Sequence, residues 1–369
     1  MPAKTAFAAA LLMITTAAAA ATPPYQHHVK LTPENVAVGN FPAQKKPILT
    51  VASGATVRID GGGGGRWQDK DPLVWAREEG ITLTPDQASA LKETDKVLKE
   101  ATRYAGIDSG HLLVGPIAVA GAMPGDAIEV RILSVEPRIP YATVSTRPGR
   151  GGIPDDVPEP YSHTVKLDLA RRVGIYEPGI EIPLGPFMGV MGVLPPDSEG
   201  SNRRSGPPGT FGGNLDCKDL IAGTSLFLPV FHPGGLFYTG DSHAGQGDGE
   251  VTVSAMETAN TAILQFIVHK GMKLAAPRAE SPTHWMAFGL DPDLDKAMQM
   301  AIRQTNSYLF DLKGLEFKRA FTLSSIGVDF RVTQGVDGTQ GIHSMIPKKI
   351  FVNDKTPFWS KRAPWNRSR

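Results

Sequence analysis

From Pro47 to Thr333 the apolar residues recur in short runs broken by glycine and proline, with period-two alternation in several of them, which is the pattern of strands joined by turns. Strand text occupies Pro47 to Asp60, His111 to Val119, Asp126 to Val135, His163 to Leu169, Gly185 to Leu194, Leu226 to Tyr238, Val251 to Met256, Asn260 to Val268 and Gly327 to Thr333. The run Gly185 to Leu194 is glycine-rich, which suits a strand whose backbone something approaches closely. Gly61 to Gly65 is too flexible to hold regular structure without outside contacts, and no Gly-Lys-Ser/Thr follows to make it a phosphate loop. Helical periodicity is confined to three places. Thr84-Pro85-Asp86-Gln87 starts a helix with Ala88, Leu91, Leu98, Ala101 and Ala105 on its buried face and Gly106 to close it. Asp291-Pro292 starts a second, burying Leu294, Ala297, Met298, Ala301, Ile302, Tyr308 and Leu309, and a shorter one lies around Glu316 to Leu323. Residues 146–160 read as a long loop or lid between strands.

Composition sharpens the picture: 40 Gly and 31 Pro in 369 residues favour a strand-rich fold, and an apolar share of 41% supports a substantial core. Lys4, an apolar run from Phe7 to Ile14 and small residues ending at Ala21 read as an export signal over 1–21, too short for a membrane span. The expected mature chain is therefore one domain from 22 to 369, with sub-domains 22–145 and 146–369 as a possible division, located in the periplasm or secreted. Its near-neutral charge offers no footprint for nucleic acid or an anionic membrane. Cys217 is the single cysteine, which excludes an internal disulfide framework and a thiolate-rich zinc site.

Candidate chemistry concentrates in Gly240-Asp241-Ser242-His243-Ala244-Gly245-Gln246-Gly247-Asp248-Gly249-Glu250, a polar segment expected as a loop between two buried strands. Acids and an imidazole held this close need a cation or a substrate to pair with. A second such segment, Asn214-Leu215-Asp216, lies one apolar strand upstream, so that a strand out and a turn back would bring Asp216 near Asp241. The spacing fails for a helix-loop-helix calcium site, because counting from Asp241 puts Gln246 sixth and Glu250 tenth. No Gly-x-Ser-x-Gly is present, and Cys217, with no neighbouring histidine, reads as a small buried residue. What remains is a divalent-cation site with Asp216, Asp241, His243 and Glu250 as ligands, zinc first, with Mn, Mg or Ca as alternatives. Asp248 or Glu257 is then the expected general base, and Gln246 or Asn214 the donor to an oxyanion. His343 reads foremost as a hydrogen-bonded core residue, and His27, His28, His111, His163, His232, His269 and His284 read as surface or structural.

These motifs resemble the acetamidase/formamidase family: Gly213-Asn214-Leu215-Asp216, Leu228-Pro229-Val230, the Gly240–Glu250 segment and Met256-Glu257-Thr258, with further likeness at Gly115 to Val119, Asp293 to Ala297 and Gly341 to Lys348. The resemblance implies a mainly β fold, a β-sandwich (jelly-roll-like) core with a few peripheral helices. It also implies hydrolysis of short carboxamides such as formamide or acetamide to carboxylate and ammonia, and a homo-oligomer, a dimer. Two features depart from the family pattern, namely the export signal and the amino-terminal acidic position, for which only Asp60 is a match. Two other readings stand beside the enzyme: a non-catalytic protein that binds a small ligand on the same fold, and a purely structural ion site.

Overall fold

The computed structural model describes residues 21–354 and 358–359. The expected export signal therefore lies outside the described residues except for Ala21. Among the described residues, no helix is long and apolar enough to cross a membrane.

Alternating apolar residues build two large sheets that face each other. One has nine strands, in the order His27–Val29, Thr56–Asp60, Asn260–His269, Ala127–Pro137, Thr224–Pro229, Arg278–Glu280, His284–Asp291, Gln340–Pro347, Asp329–Gln334. The other has six: Gly212–Asn214, Phe187–Gly192, Phe237–His243, Leu112–Val119 and Val36–Val38 in order, with Leu49–Val51 paired in parallel to Leu112–Val119. Between them lies one core that draws Ile59, Val130, Leu226, Leu264 and Phe266 from the first sheet and Leu113, Ile117, Val190, Phe237 and Tyr238 from the second. Phe237 and Phe266 meet edge to face across it, with ring centroids 5.0 Å apart, a favoured aromatic geometry. A four-stranded sheet, Ile180–Pro183, Val173–Glu177, Tyr161–Asp168 and Tyr141–Thr146, packs Val165 and Leu167 against Ala244 and Met256. The fold is thus mainly β with helices at the periphery, as the alternation indicates.

Several local expectations change. The first long helix runs Pro85–Glu100 and carries the expected capping box at Thr84, but it ends before Ala101 and buries Ala90, Leu91, Thr94 and Val97, leaving Leu98 outside. A short helix, Pro72–Glu78, capped by Asp71, precedes it and was not legible in the pattern. The second long helix, Leu294–Lys313, starts three residues after Asp291, which ends a strand; Asp293 caps it, accepting from the amides of Asp295 and Lys296. The segment Val251 to Met256 forms turns rather than a strand, because Glu250 and Val253 both take left-handed backbone and break any ladder. Conversely, the strand Phe237–His243 runs on through Asp241, Ser242 and His243, so the first four residues of the expected loop motif are sheet.

Candidate functional site

The Phe187–Gly192 strand lies between Gly212–Asn214 and Phe237–His243, with Val190 opposite both Asn214 and Gly240. Asp216, just past the first neighbour, and Asp241 and His243, at the end of the second, therefore converge over the middle strand. The residue beneath them is Gly189. A Cβ there would stand 2.5 Å from Asp216 Oδ1, 2.7 Å from Asp241 Oδ2 and 3.0 Å from His243 Cε1, so any larger side chain would fill the space the three share. Asn260 Nδ2 pins the strand pair from below by donating to the carbonyls of Phe187 and His243.

The loop after His243 brings Glu250 and Glu257 to the same point. Glu257 exchanges main-chain hydrogen bonds with Thr143, and its Oε2 lies 3.4 Å from His243 Nε2; Asp241 Oδ2 lies 3.3 Å from the same nitrogen. Ligand atoms of Asp216, Asp241 and His243, of His243, Glu250 and Glu257, and of Asp216, Glu250 and Asp337 each lie within 4.8 Å of one another. The four residues expected as ligands are thus gathered, together with Glu257, one of the two expected bases.

Asp337 joins them without a sequence expectation. It sits in the hairpin between Asp329–Gln334 and Gln340–Pro347, docked onto the Gly249 backbone through Gly249 N–H to the Thr333 carbonyl and Gly335 N–H to the Gly249 carbonyl. An aspartate framed by Gly335 and Gly338 was the available signal. His111, expected to be structural, places Nε2 3.9 Å from Asp241 Oδ2. It lines a cavity of about 180 Å³ with Gly62, Gly63, Gly65, Asp241 and Glu257. The glycine run is therefore a wall of this cavity, and at Gly63 a Cβ would lie 2.0 Å from the Thr258 carbonyl oxygen. A second cavity, about 290 Å³, opens at Asp337 beside Arg150 of the expected 146–160 loop.

Other expected residues stand differently. Asp248 is half-exposed and pairs with Lys218 at 3.1 Å, away from the convergence point. Gln246 donates to the Asp216 main-chain carbonyl and Asn214 to Asp337 Oδ2, so both amides brace acids of the cluster. Asp60 is held by His28, Arg58 and Thr261.

Three observations indicate what the cluster can hold. Asp216 Oδ1 and Oδ2, Glu250 Oε2 and both ring nitrogens of His243 are buried without a hydrogen-bond partner among the described residues, an expensive state for polar atoms. Asp216, Asp241, Glu250 and Asp337 all have left-handed backbone, with φ between 43° and 62°, a cost that structures accept where the side chain must point in one direction. The ionisation pattern is that of acids crowded together. Burial, then Glu250 and Asp241, push the Asp216 carboxyl far up, and burial with Glu257 and Asp337 does the same to Glu250. Burial raises Asp337 to about 6. Burial also opposes charge on Asp241, but His111 and His243 outweigh it and hold this acid below the usual range; Glu257 and Asp241 in turn hold the proton on His243 against burial. The donor set of carboxylate oxygens and one imidazole fits a divalent cation, and 3.3–3.4 Å is the spacing of the Asp241–His243 and His243–Glu257 donor pairs. Two ligands each ~2.0 Å from one tetrahedral ion stand about 3.3 Å apart.

The profile of the Acetamidase/Formamidase family matches residues 66–199 and 197–353. A formamidase of Methylophilus methylotrophus is 28% identical over 192 residues, 38% of this chain and 47% of that protein. The chain spans about half the length of the curated relatives it matches. An acetamidase from Bacillus halodurans superposes with a TM-score of 0.72 at 26% identity, covering 89% of this chain and 100% of that one. An acetamidase from Yersinia enterocolitica gives 0.71 at 26% identity, covering 92% and 97%.

Proposed function

The chain belongs to the acetamidase/formamidase family, and from that premise we propose that it hydrolyses short linear carboxamides to carboxylate and ammonia with the help of a divalent cation. Asp216, Asp241, His243 and Glu250 are the residues that would hold the cation, zinc in the first instance. The observation that carries this reading is the convergence of buried, unpartnered donor atoms over Gly189.

When bound, such a cation polarises a carbonyl and acidifies water, which is what an unreactive amide requires. Glu257 is placed beside His243 and opens on the cavity, and it acts as the general base. Its carboxylate takes a proton from the attacking water as the new carbon–oxygen bond forms, and returns a proton to nitrogen as the carbon–nitrogen bond breaks. Gln246 and Asn214 position Asp216 and Asp337 rather than touching the substrate. His111 faces the same cavity and sustains the charge on Asp241. A cavity of about 180 Å³ suits amides of formamide or acetamide size. An export leader in residues 1–21 would carry the reaction to the periplasm or the exterior.

Ammonia release from a panel of formamide, acetamide and larger amides tests the reading. Activity should vanish after dialysis to metal-free protein and return with zinc. Full activity without metal would exclude the cation, and binding of amides without turnover would leave only a ligand-binding protein.

A further inference from the structure

The loop that carries Asp216 into the acid cluster turns its next residues the other way. Cys217 is 1% exposed and His343 is fully buried, and Cys217, Asp219 and His343 each offer a ligand atom within 4.8 Å of the other two. His343 lies in the Gln340–Pro347 strand, and its Nδ1 is engaged with Thr333 Oγ1 of the adjoining strand at 2.8 Å, which leaves Nε2 to face the loop. That nitrogen is 3.3 Å from Asp219 Oδ2, yet neither of these buried atoms has a hydrogen-bond partner among the described residues.

We propose that Cys217, Asp219 and His343 form a second cation site, distinct from the acid cluster, for a thiophilic divalent ion such as zinc. The separation of 3.3 Å between Asp219 Oδ2 and His343 Nε2 is the edge expected when both bind one tetrahedral ion at ~2.0 Å. A thiolate with an imidazole selects zinc or cobalt over magnesium or calcium. Thr333 supplies the bond to the far ring nitrogen that metal-binding histidines usually make. Arg331 and Lys218 approach the same oxygen only to 3.7 and 3.9 Å, and Lys218 lies closer to Asp248, at 3.1 Å. The Asp219 side chain retains 24% exposure, which gives water access to the fourth position. On binding, the thiol proton leaves to solvent and a sulfur–metal bond replaces it. Because Cys217 adjoins Asp216, an ion here would fix the segment that delivers Asp216 to the proposed active site.

The test uses the full chain, stripped of metal and reloaded with cobalt(II). Cys217 is the only cysteine, so a thiolate-to-cobalt charge-transfer band can come from no other place and does not depend on whether the acid cluster binds an ion. The native chain is expected to show this band, and Cys217→Ser to lose both the band and one equivalent of zinc per chain. Thr333→Val is expected to weaken zinc at this site about 10- to 100-fold. A cobalt-loaded native chain without the sulfur band overturns the proposal, whatever the folding of the variants.

Discussion

At the scale of single residues, the proposed active site depends on what Gly189 lacks. Its absent side chain is the space into which Asp216, Asp241 and His243 point. Gly189→Ala would put a carbon 2.5 Å from a carboxylate oxygen, so it should empty the cluster of metal and abolish amide hydrolysis. Overpacking of this kind costs about 1–3 kcal/mol, which a folded chain of this size tolerates, so metal content by elemental analysis and Tm separate loss of the site from loss of the fold. Glu257→Gln tests a different property at nearly constant shape. If Glu257 moves protons, kcat should fall by about 10²–10⁴ with metal content kept. Loss of the metal together with the rate would make Glu257 a ligand instead.

At the scale of strands and loops, pairing geometry decided which sequence expectations the fold reproduces. Strand alternation was legible because burial on one face enforces it. The end of the Gly240–Glu250 motif was not, since Val251 to Met256 alternates like a strand but follows an acid whose backbone is left-handed. Asp337 is not legible in the sequence because its contribution depends on a hairpin from the far end of the nine-stranded sheet docking onto Gly249, a contact that local pattern does not encode. Burial also hides charge within strands. Glu129, in Ala127–Pro137, is fully buried and held by His269, Arg131 and Ser225. Burial alone would raise its carboxyl, but the hydrogen bonds from His269 and Arg131 overcome this and bring it down to about 2. The native state then binds this proton more weakly than the unfolded chain, so the contribution to stability is complete above the ordinary glutamate value of 4.5 and is lost as pH falls through about 2. Glu129→Gln should therefore destabilise the protein by about 3–5 kcal/mol at pH 7, and the gap should narrow between pH 4.5 and 2 in urea titrations.

At the scale of the whole molecule, the acid cluster ties together parts that strand pairing alone leaves apart. Asp241 and His243 come from the six-stranded sheet and Asp216 from the loop just past its Gly212–Asn214 strand, Glu250 and Glu257 from the connection that follows, and Asp337 from a hairpin of the nine-stranded sheet. The acids and imidazole of the two polar segments made most of this set readable from sequence, but not that its members meet where the two sheets come together. A cation held there binds the native state and has no comparable site in the unfolded chain, so it should stabilise the fold by about 2.7 kcal/mol at a hundred times its Kd. Chelation should accordingly lower Tm by several degrees in calorimetry, and zinc should restore it. The restoration should also depend on pH. Without a cation, burial and mutual repulsion keep protons on Asp216 and Glu250, and binding must expel them. The gain in Tm on adding zinc should therefore shrink as pH falls, with proton release on titration in weakly buffered solution. An equal Tm for chelated and zinc-loaded protein at pH 8 would mean that the cluster keeps its protons and holds no ion, and the hydrolytic reading would lose its physical basis.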